Sequence, residues 1–228
     1  MTLVTDPFGE YDKSLLQRCF KDVTFPFKKH FIIDLQKPGI SKHHRYYALK
    51  ALRKVHVEEC AVPIQFLDEW LGLYRTLVEK YNIQGILAFS RDSFAKLLSI
   101  PDLIMLRVIY NDTTVGAQLY LTQGDVVHCH LGVANEIGYK VGAIYALDWY
   151  SIEYFSGRAH WINLGGGLDI SDSKNDGLSR YKKGWASDTR TVYLCGRIFN
   201  NEKYTEILKA KKIAPTNYFP AYRHGEFF

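Results

Sequence analysis

Long apolar runs are missing from this 228-residue chain: none approaches the roughly 18 residues that a membrane span needs. The opening MTLVTDPFGEYDK carries acids and lacks a basic-then-apolar signal pattern, so a soluble cytoplasmic protein is expected. Cysteine is scarce. Cys19, Cys60, Cys129 and Cys195 lie far apart with no C-x-x-C pair, which argues against a zinc cage or a disulfide framework. His128 and His130 share one side of a strand, but no convincing third ligand accompanies them, so no metal is expected. There is no internal repeat and no low-complexity segment. Charge of one sign is in short supply too. Twenty-nine basic against 24 acidic residues leave +5, which does not by itself imply nucleic acid but suits an acidic ligand such as a phosphate or an acyl-carrying nucleotide.

What is abundant is tyrosine, sixteen residues, in an otherwise ordinary globular composition. Tyrosine-rich surfaces bind sugars or peptides, and tyrosines also serve as amphipathic core packing. Residues 1–30 mix turn formers and aromatics and read as an N-terminal extension with a short helix near Ser14–Lys21. Residues 31–228 read as a single domain. Phe31–Leu35 is a strand stopped by Lys37-Pro38-Gly39, and Ser41 caps a helix through about Lys54. Val55–Cys60 is a strand. Pro63 opens a helix with an apolar stripe at Phe66, Trp70, Leu73 and Leu77, and Ser90 caps another that Pro101 ends.

From Ile104 to Ala134 three strands separated by Asn111-Asp112-Thr113 and Gln123-Gly124-Asp125 form an antiparallel meander. A helix over about Tyr139–Phe155 follows, with Val141, Ile144, Leu147, Ile152 and Phe155 inward. Then come a buried strand at Trp161–Leu164, a short helix Gly177–Ala186, a strand Thr191–Phe199 and a helix Glu202–Lys211. The order β-α-β-α-α-β-β-β-α-β-α-β-α predicts an α/β (α+β) domain whose central sheet is mixed and largely antiparallel, flanked by helices.

The stretch His128–Ala186 narrows function most. Asn163-Leu164-Gly165-Gly166-Gly167 together with Asp176-Gly177-Leu178-Ser179-Arg180-Tyr181-Lys182-Lys183-Gly184-Trp185 resembles the D-L-G-G … D-G-L-x-x-F-K-x-x-F signature of the Fem-like branch of the GNAT acyltransferase superfamily. That branch includes the FemAB peptidyltransferases and BioF2-like acetyltransferases. The strand His30–Leu35, the basic helix from His43 and the Gly138–Gly142 turn leading to Leu147-Asp148-Trp149 resemble further parts of it, over roughly residues 28–200. The pyrophosphate pattern Gln/Arg-x-x-Gly-x-Gly/Ala is not met: Tyr139 stands for the first residue and Ile144 for the last. The resemblance implies a GNAT-like fold with two parallel strands that splay apart, and transfer of an acyl group from an activated carrier to an amine. Acyl-CoA, acetyl-CoA above all, is the expected donor co-substrate, with no tightly bound cofactor. Aminoacyl-tRNA stays open as a donor. Fem enzymes carry two GNAT-like halves, so a homodimer supplying a second wall of the cleft is also left open.

Read on their own chemistry, Gly138, Tyr139, Lys140, Val141, Gly142 and Ala143 form a glycine-punctuated turn before a helix. There free backbone N–H groups and a lysine suit a phosphate, or else the turn simply joins strand to helix. By the resemblance, Gly165 and Gly166 remove side-chain bulk where an ester or thioester sits and an N–H near Asn163 polarises the acyl carbonyl; on their own chemistry the glycines are equally a flexible strand exit. His130 faces the cleft as a substrate contact or as a hydrogen-bonded sheet histidine. Arg45, with Lys42, Lys50, Arg53 and Lys54, makes a cationic helix flank that is either solvated or a dock for an acidic acceptor.

An amine must lose its proton to attack, and Asp169, Asp172, Asp176 and Glu136 are candidate bases, Asp169 foremost. Tyr181 and Lys182 are candidates to protonate the leaving group or stabilise negative charge, and Lys182 matches the lysine of the resembled pattern. The expected function is acyl or aminoacyl transfer to an amine, in cell-wall or polysaccharide precursor metabolism. The alternative is a GNAT-like module that binds a ligand or partner without catalysis.

Overall fold

The computed structural model describes residues 1–167 and 177–226. β1 (Thr2–Val4), α1 (Lys13–Cys19) and β2 (Val23–Asp34) come first, then α2 (Lys42–Leu52) and β3 (His56–Glu59). A 3-10 turn at Pro63–Phe66 leads into α3 (Leu67–Tyr81), and α4 (Arg91–Leu98) follows. β4 (Ile104–Tyr110), β5 (Thr113–Gln123) and β6 (Val126–Ala134) make the meander. After it come α5 (Glu136–Val141), α6 (Ala143–Phe155), β7 (Trp161–Asn163), α7 (Gly177–Lys183), β8 (Asp188–Gly196) and α8 (Asn201–Ala210).

The eight strands form one sheet in the order β1-β8-β2-β7-β6-β5-β4-β3. Every pairing is antiparallel except β6 with β7. The domain is thus the mixed, mostly antiparallel α+β type expected.

Local chemistry explains most boundaries. Ser41 and Ser90 accept hydrogen bonds from His44 N and Ser93 N, so each hydroxyl satisfies an otherwise unpaired donor of the helix it starts. Asn82, left-handed at φ 48°, ends α3. Side-chain alternation in the meander sends Leu106, Tyr120 and Val127 to one face and Met105, Leu119 and Val133 to the other. α2 and α6 cover the first face, joined by Trp185; α3 and α4 cover the second through Trp70, Leu73, Phe94 and Leu98. Each fully buried large side chain here contributes about 1.5–3 kcal/mol.

Three features differ from expectation. Residues 1–30 are no appendage beside the sheet: β1 pairs with β8, and β2 begins at Val23, so residue 30 falls within a strand. Pro26 hid that strand, because proline removes a ladder donor; a register shift between Pro26 and Lys28 accommodates it. The predicted single helix over 139–155 is two helices, broken where Gly142 adopts φ 82°. The glycine-punctuated turn at Gly138–Gly142 is therefore helical, and Gly138 lies inside α5 with its N–H given to the Asn135 side chain.

Gly138 is glycine because of packing: a Cβ there would stand 2.1 Å from the Val115 carbonyl oxygen. Gly138→Ala gains up to about 1 kcal/mol of helix propensity but forces α5 off β5. A net loss of about 2 kcal/mol is expected, read as a lower urea midpoint at unchanged m-value.

Candidate active site

The parallel pairing of β6 and β7 is short. It runs from Val126↔Trp161 to His128↔Asn163 and stops. Beyond it the chain after β7 turns to β2 instead: Leu164 N–H donates to Phe31 O at 2.9 Å and Phe31 N–H to Gly165 O at 3.0 Å. Gly165, at φ 73°, makes that turn, and the Asn163 carboxamide oxygen accepts the Gly165 N–H at 2.8 Å. On the other side β6 carries a register shift opposite Leu119/Tyr120, which leaves His130 between the paired Cys129 and Leu131. A bulge sharpens local twist and bends its strand. The two parallel strands consequently part, as the resemblance implies, between residues 129–134 and 164–167.

Lys182 points into this parting. Its Nζ donates to Gly166 O at 2.7 Å, and a Cβ on Gly165 would lie 3.6 Å from it. The charge of Lys182 is felt at Asp148 and Cys129 on one face of the sheet and at His30 on the other. Lys28 Nζ donates to Gly167 O at 3.1 Å nearby.

On the α6 face lies a buried polar chain. Asp148, 4% exposed, receives Gln118 Nε2 on Oδ1 at 2.8 Å and the Tyr181 hydroxyl on Oδ2 at 2.5 Å. Tyr120 in turn donates to Gln118 Oε1 at 2.6 Å. Burial pushes the Asp148 carboxyl up to about 6, against the opposing pull of its two donors and of Lys182. Burial lifts the phenols of Tyr120 and Tyr181 well above the usual range and the Cys129 thiol to about 12, so all three stay protonated.

The opposite face presents imidazoles. His128 Nδ1 lies 3.1 Å from Asn163 Nδ2, His30 of β2 interacts with the same Asn163, and His130 follows in the β6 bulge. Burial lowers the pKa of all three histidines. For His30, Lys182, His128 and Lys28 push the same way, while a hydrogen bond to Asn163 opposes. Neutral imidazoles are therefore what this face offers at pH 7, each able to take a proton.

The structure brings Lys182, Tyr181, Asn163, Gly165 and Gly166 to one region, while His130 stands exposed in the β6 bulge beyond the end of the β6–β7 pairing. Asn163 is buried and acts through the backbone turn and His128. The Tyr181 proton is committed to Asp148. Asp169, Asp172 and Asp176 lie outside the described residues. Arg45 sits on the exposed side of α2. Gly138, Tyr139, Lys140, Val141, Gly142 and Ala143 form the α5–α6 junction.

That junction fits a CoA pyrophosphate poorly. The Gly142 N–H is used within α5, on the Gly138 and Tyr139 carbonyls, and Ala143 is fully buried. The negative C-terminus of α5 also abuts the positive N-terminus of α6 and offsets it. Gly138–Gly142 is thus a helix and its cap rather than an open loop.

Residues that sequence reasoning passed over are Asp148, Gln118, Tyr120 and His30. Asp148 had a readable signal: it falls four residues after Ile144 and four before Ile152, an acid in line with an apolar stripe. Among the described residues no group of three or more His, Cys, Asp or Glu side chains is arranged to hold a metal, and no helix is long and apolar enough to cross a membrane.

Neither a protein-family model nor a curated protein sequence matches the chain. Solved structures do. FemX superposes with a TM-score of 0.66 at 13% identity, over 85% of this chain and 70% of its own. The C-terminal domain of a putative lysylphosphatidylglycerol synthetase from Agrobacterium fabrum gives 0.64 at 13%, over 88% and 69%. L-PGS from Bacillus licheniformis gives 0.58 at 17%, over 85% and 67%. The fold is GNAT/Fem-like.

The raised Asp148 pKa has a stability consequence. The folded state holds this proton more tightly than the unfolded chain, whose carboxyl titrates near ~3.9. Stability is therefore fullest below about pH 4 for this group and falls as pH rises toward 6, by about 3 kcal/mol in all. Urea unfolding of wild type and Asp148→Asn across that range should show this fall in the wild type minus variant difference, with a flat difference above about pH 7.

Proposed function

We propose that the chain transfers an acyl or aminoacyl group from an activated carrier to an amine, with Lys182 as the cation that stabilises the reacting carbonyl. The observation that carries this reading is the placement of Lys182 Nζ in the parting of β6 and β7, 2.7 Å from Gly166 O. There a substrate carbonyl can approach backbone groups that no neighbouring strand among the described residues uses. The GNAT/Fem-like fold supports the reading, as do neighbours such as the putative lysylphosphatidylglycerol synthetase, whose name denotes an aminoacylated product.

In the proposed step the amine nitrogen bonds to the acyl carbon and the carbonyl becomes a tetrahedral oxyanion. Lys182 lies where it can stabilise that charge, in a site flanked by buried groups that weaken solvent screening. A neutral imidazole of His30, His128 or His130 accepts the proton the amine gives up. The bond from the acyl carbon to the carrier oxygen or sulfur then breaks, and the carrier leaves with a proton. Asp169 remains a candidate base on sequence grounds.

Between donors, we favour an ester-linked aminoacyl carrier over a CoA thioester, because the Gly142 N–H is taken within α5 and Ala143 is buried. The acceptor is an amine of a cell-wall or polysaccharide precursor in this proposal. A single protomer contains both faces of the parting, so the reading does not require a dimer.

Transfer of labelled acyl groups from aminoacyl-tRNA and from acetyl-CoA to a panel of amino sugars and amine-bearing peptides tests it. Lys182→Ala should lower kcat at least about 100-fold with aminoacyl-tRNA, and Lys182→Arg should retain part of the rate. Wild-type activity untouched by Lys182→Ala would overturn the role of this lysine; no transfer from either carrier would leave the non-catalytic module. Free CoA at about 1 mM should leave Tm unchanged, whereas a rise of several degrees would restore the phosphate site at Gly138–Ala143.

A further inference from the structure

We propose that Asp148 is the positioning residue of this site: its carboxylate, buried on the inner side of α6, takes the Tyr181 hydroxyl, docks α7 and so sets Lys182 in the parting of β6 and β7. The inference deepens the proposed function and rests on Lys182 being the working cation.

Three observations carry it. Asp148 is the one acid on the buried side of α6, among Ala143, Ala146, Leu147, Ser151, Ile152 and Phe155. A carboxylate in such company costs several kcal/mol unless specific partners hold it, and it would serve packing worse than leucine.

Its two oxygens are also assigned by the surrounding network. Tyr120 donates to Gln118 Oε1, which turns Gln118 Nε2 toward Asp148 Oδ1 and leaves Oδ2 for α7. The network is built from the sheet side outward, and its last donor is Tyr181.

The third observation is local geometry on α7. Tyr181 and Lys182 are consecutive, so their side chains leave the helix about 100° apart. One reaches Asp148 while the other reaches Gly166 O. A roll of α7 that broke the first contact would carry Lys182 away from the second. The fully buried Trp185 and the Ser41 N–H on Gly184 O pin the C-terminal end of α7, and the Tyr181 hydroxyl adds the contact on its inner turn. The Tyr181 ring meets Tyr145 at 5.1 Å and His44 at 5.2 Å between centroids, contacts that a phenylalanine would keep. Phenylalanine is the residue at this place in the pattern the helix resembles. The hydroxyl is what directs the ring to Asp148.

The groups facing Asp148 are Gln118 and Tyr120 from β5, Cys129 from β6, Tyr145 from α6, and Tyr181 and Lys182 from α7, with His44 of α2 behind the two tyrosine rings. Burial keeps Tyr120, Cys129 and Tyr181 neutral, which leaves Asp148 and Lys182 as the charges of opposite sign. Protonation of Asp148 near pH 6 removes the charge that holds both the phenol and the ammonium.

Hydrogen exchange over residues 177–186 tests the docking without any knowledge of donor or acceptor. At about pH 7.5, Tyr181→Phe and Asp148→Asn should each lower protection of this segment about tenfold while β4–β6 keep theirs. In the wild type protection should fall toward the variant level near pH 5, and in Asp148→Asn it should not depend on pH. In the transfer assay both variants should lose kcat about tenfold at unchanged KM, and Asp148→Asn should lose the Asp148 component of the acid limb while keeping that of the histidine base.

Unchanged protection in both variants overturns the proposal even if Lys182→Ala abolishes transfer. Loss spread evenly over the whole sheet also overturns it, by showing a general packing role. Should no transfer be found with any carrier, the exchange result still decides whether Asp148 docks α7.

Discussion

The candidate site depends on a strand pairing that ends after three residues. A strand buried in a sheet needs partners for its backbone groups on both edges. β6 has β5 along its full length on one edge, but β7 accompanies it only to His128. The chain that would have continued the pairing is captured by Phe31 of β2 through two hydrogen bonds. Asn163 enforces the exchange, because one end of its carboxamide holds the Gly165 N–H and the other faces His128. The bulge at His130 interrupts the regular pairing of β6 at the same level. Opening the sheet here thus follows from a few named contacts, and the resulting cleft is part of the fold, present before any ligand arrives.

Into that cleft the chain places Lys182, with Lys28 nearby and a buried acid behind it. At neutral pH the acid is held at some cost. Asp148 would be more comfortable protonated, and its folded environment raises its pKa accordingly. Structures tolerate such groups where a function needs them, and perturbed carboxyls cluster at working sites for this reason. Here the acid has no open path to substrate, since both oxygens are occupied by Gln118 and Tyr181. Its effect must pass through α7. Orienting a helix by one buried charge-assisted hydrogen bond is specific in a way that ring packing among His44, Tyr145 and Trp185 is not.

Much of the fold was legible in the sequence because its signals were local. Ser41 and Ser90 mark helix starts by their own hydroxyl chemistry, and the Asn111 and Gly124 turns separate strands whose apolar residues alternate. The parts that were not legible depend on tertiary context. β2 contains Pro26 and the polar run Lys28-Lys29-His30, a poor strand by composition, yet nine residue pairs with β8 hold it. Gly138 and Gly142 both look like loop glycines. One is small to clear Val115 and the other is left-handed between two helices, and neither role has a sequence signature of its own.

The site divides the same way. Lys182 and the glycines after Asn163 stand in a recognisable pattern, whereas His30 and Gln118 reach it only through strand neighbours far away in sequence.

The contrast between Gly142 and Lys182 bears on which end of the substrate the chain grips. A carrier bound through its phosphates needs free helix-start donors, and at the α5–α6 junction the Gly142 N–H is already taken by α5. A carrier bound through its acyl group needs the opened sheet edge and a cation, and these are built in detail. On the proposed reading, recognition is concentrated at the reacting carbonyl, where it would differ between ground and transition state and so contribute to rate. Whatever holds the body of the carrier must lie elsewhere on the surface. The flank of α2, with Lys42, Arg45 and Lys50 and with Tyr46 and Tyr47 exposed among them, has the cationic and aromatic character that such a polyanionic carrier would meet.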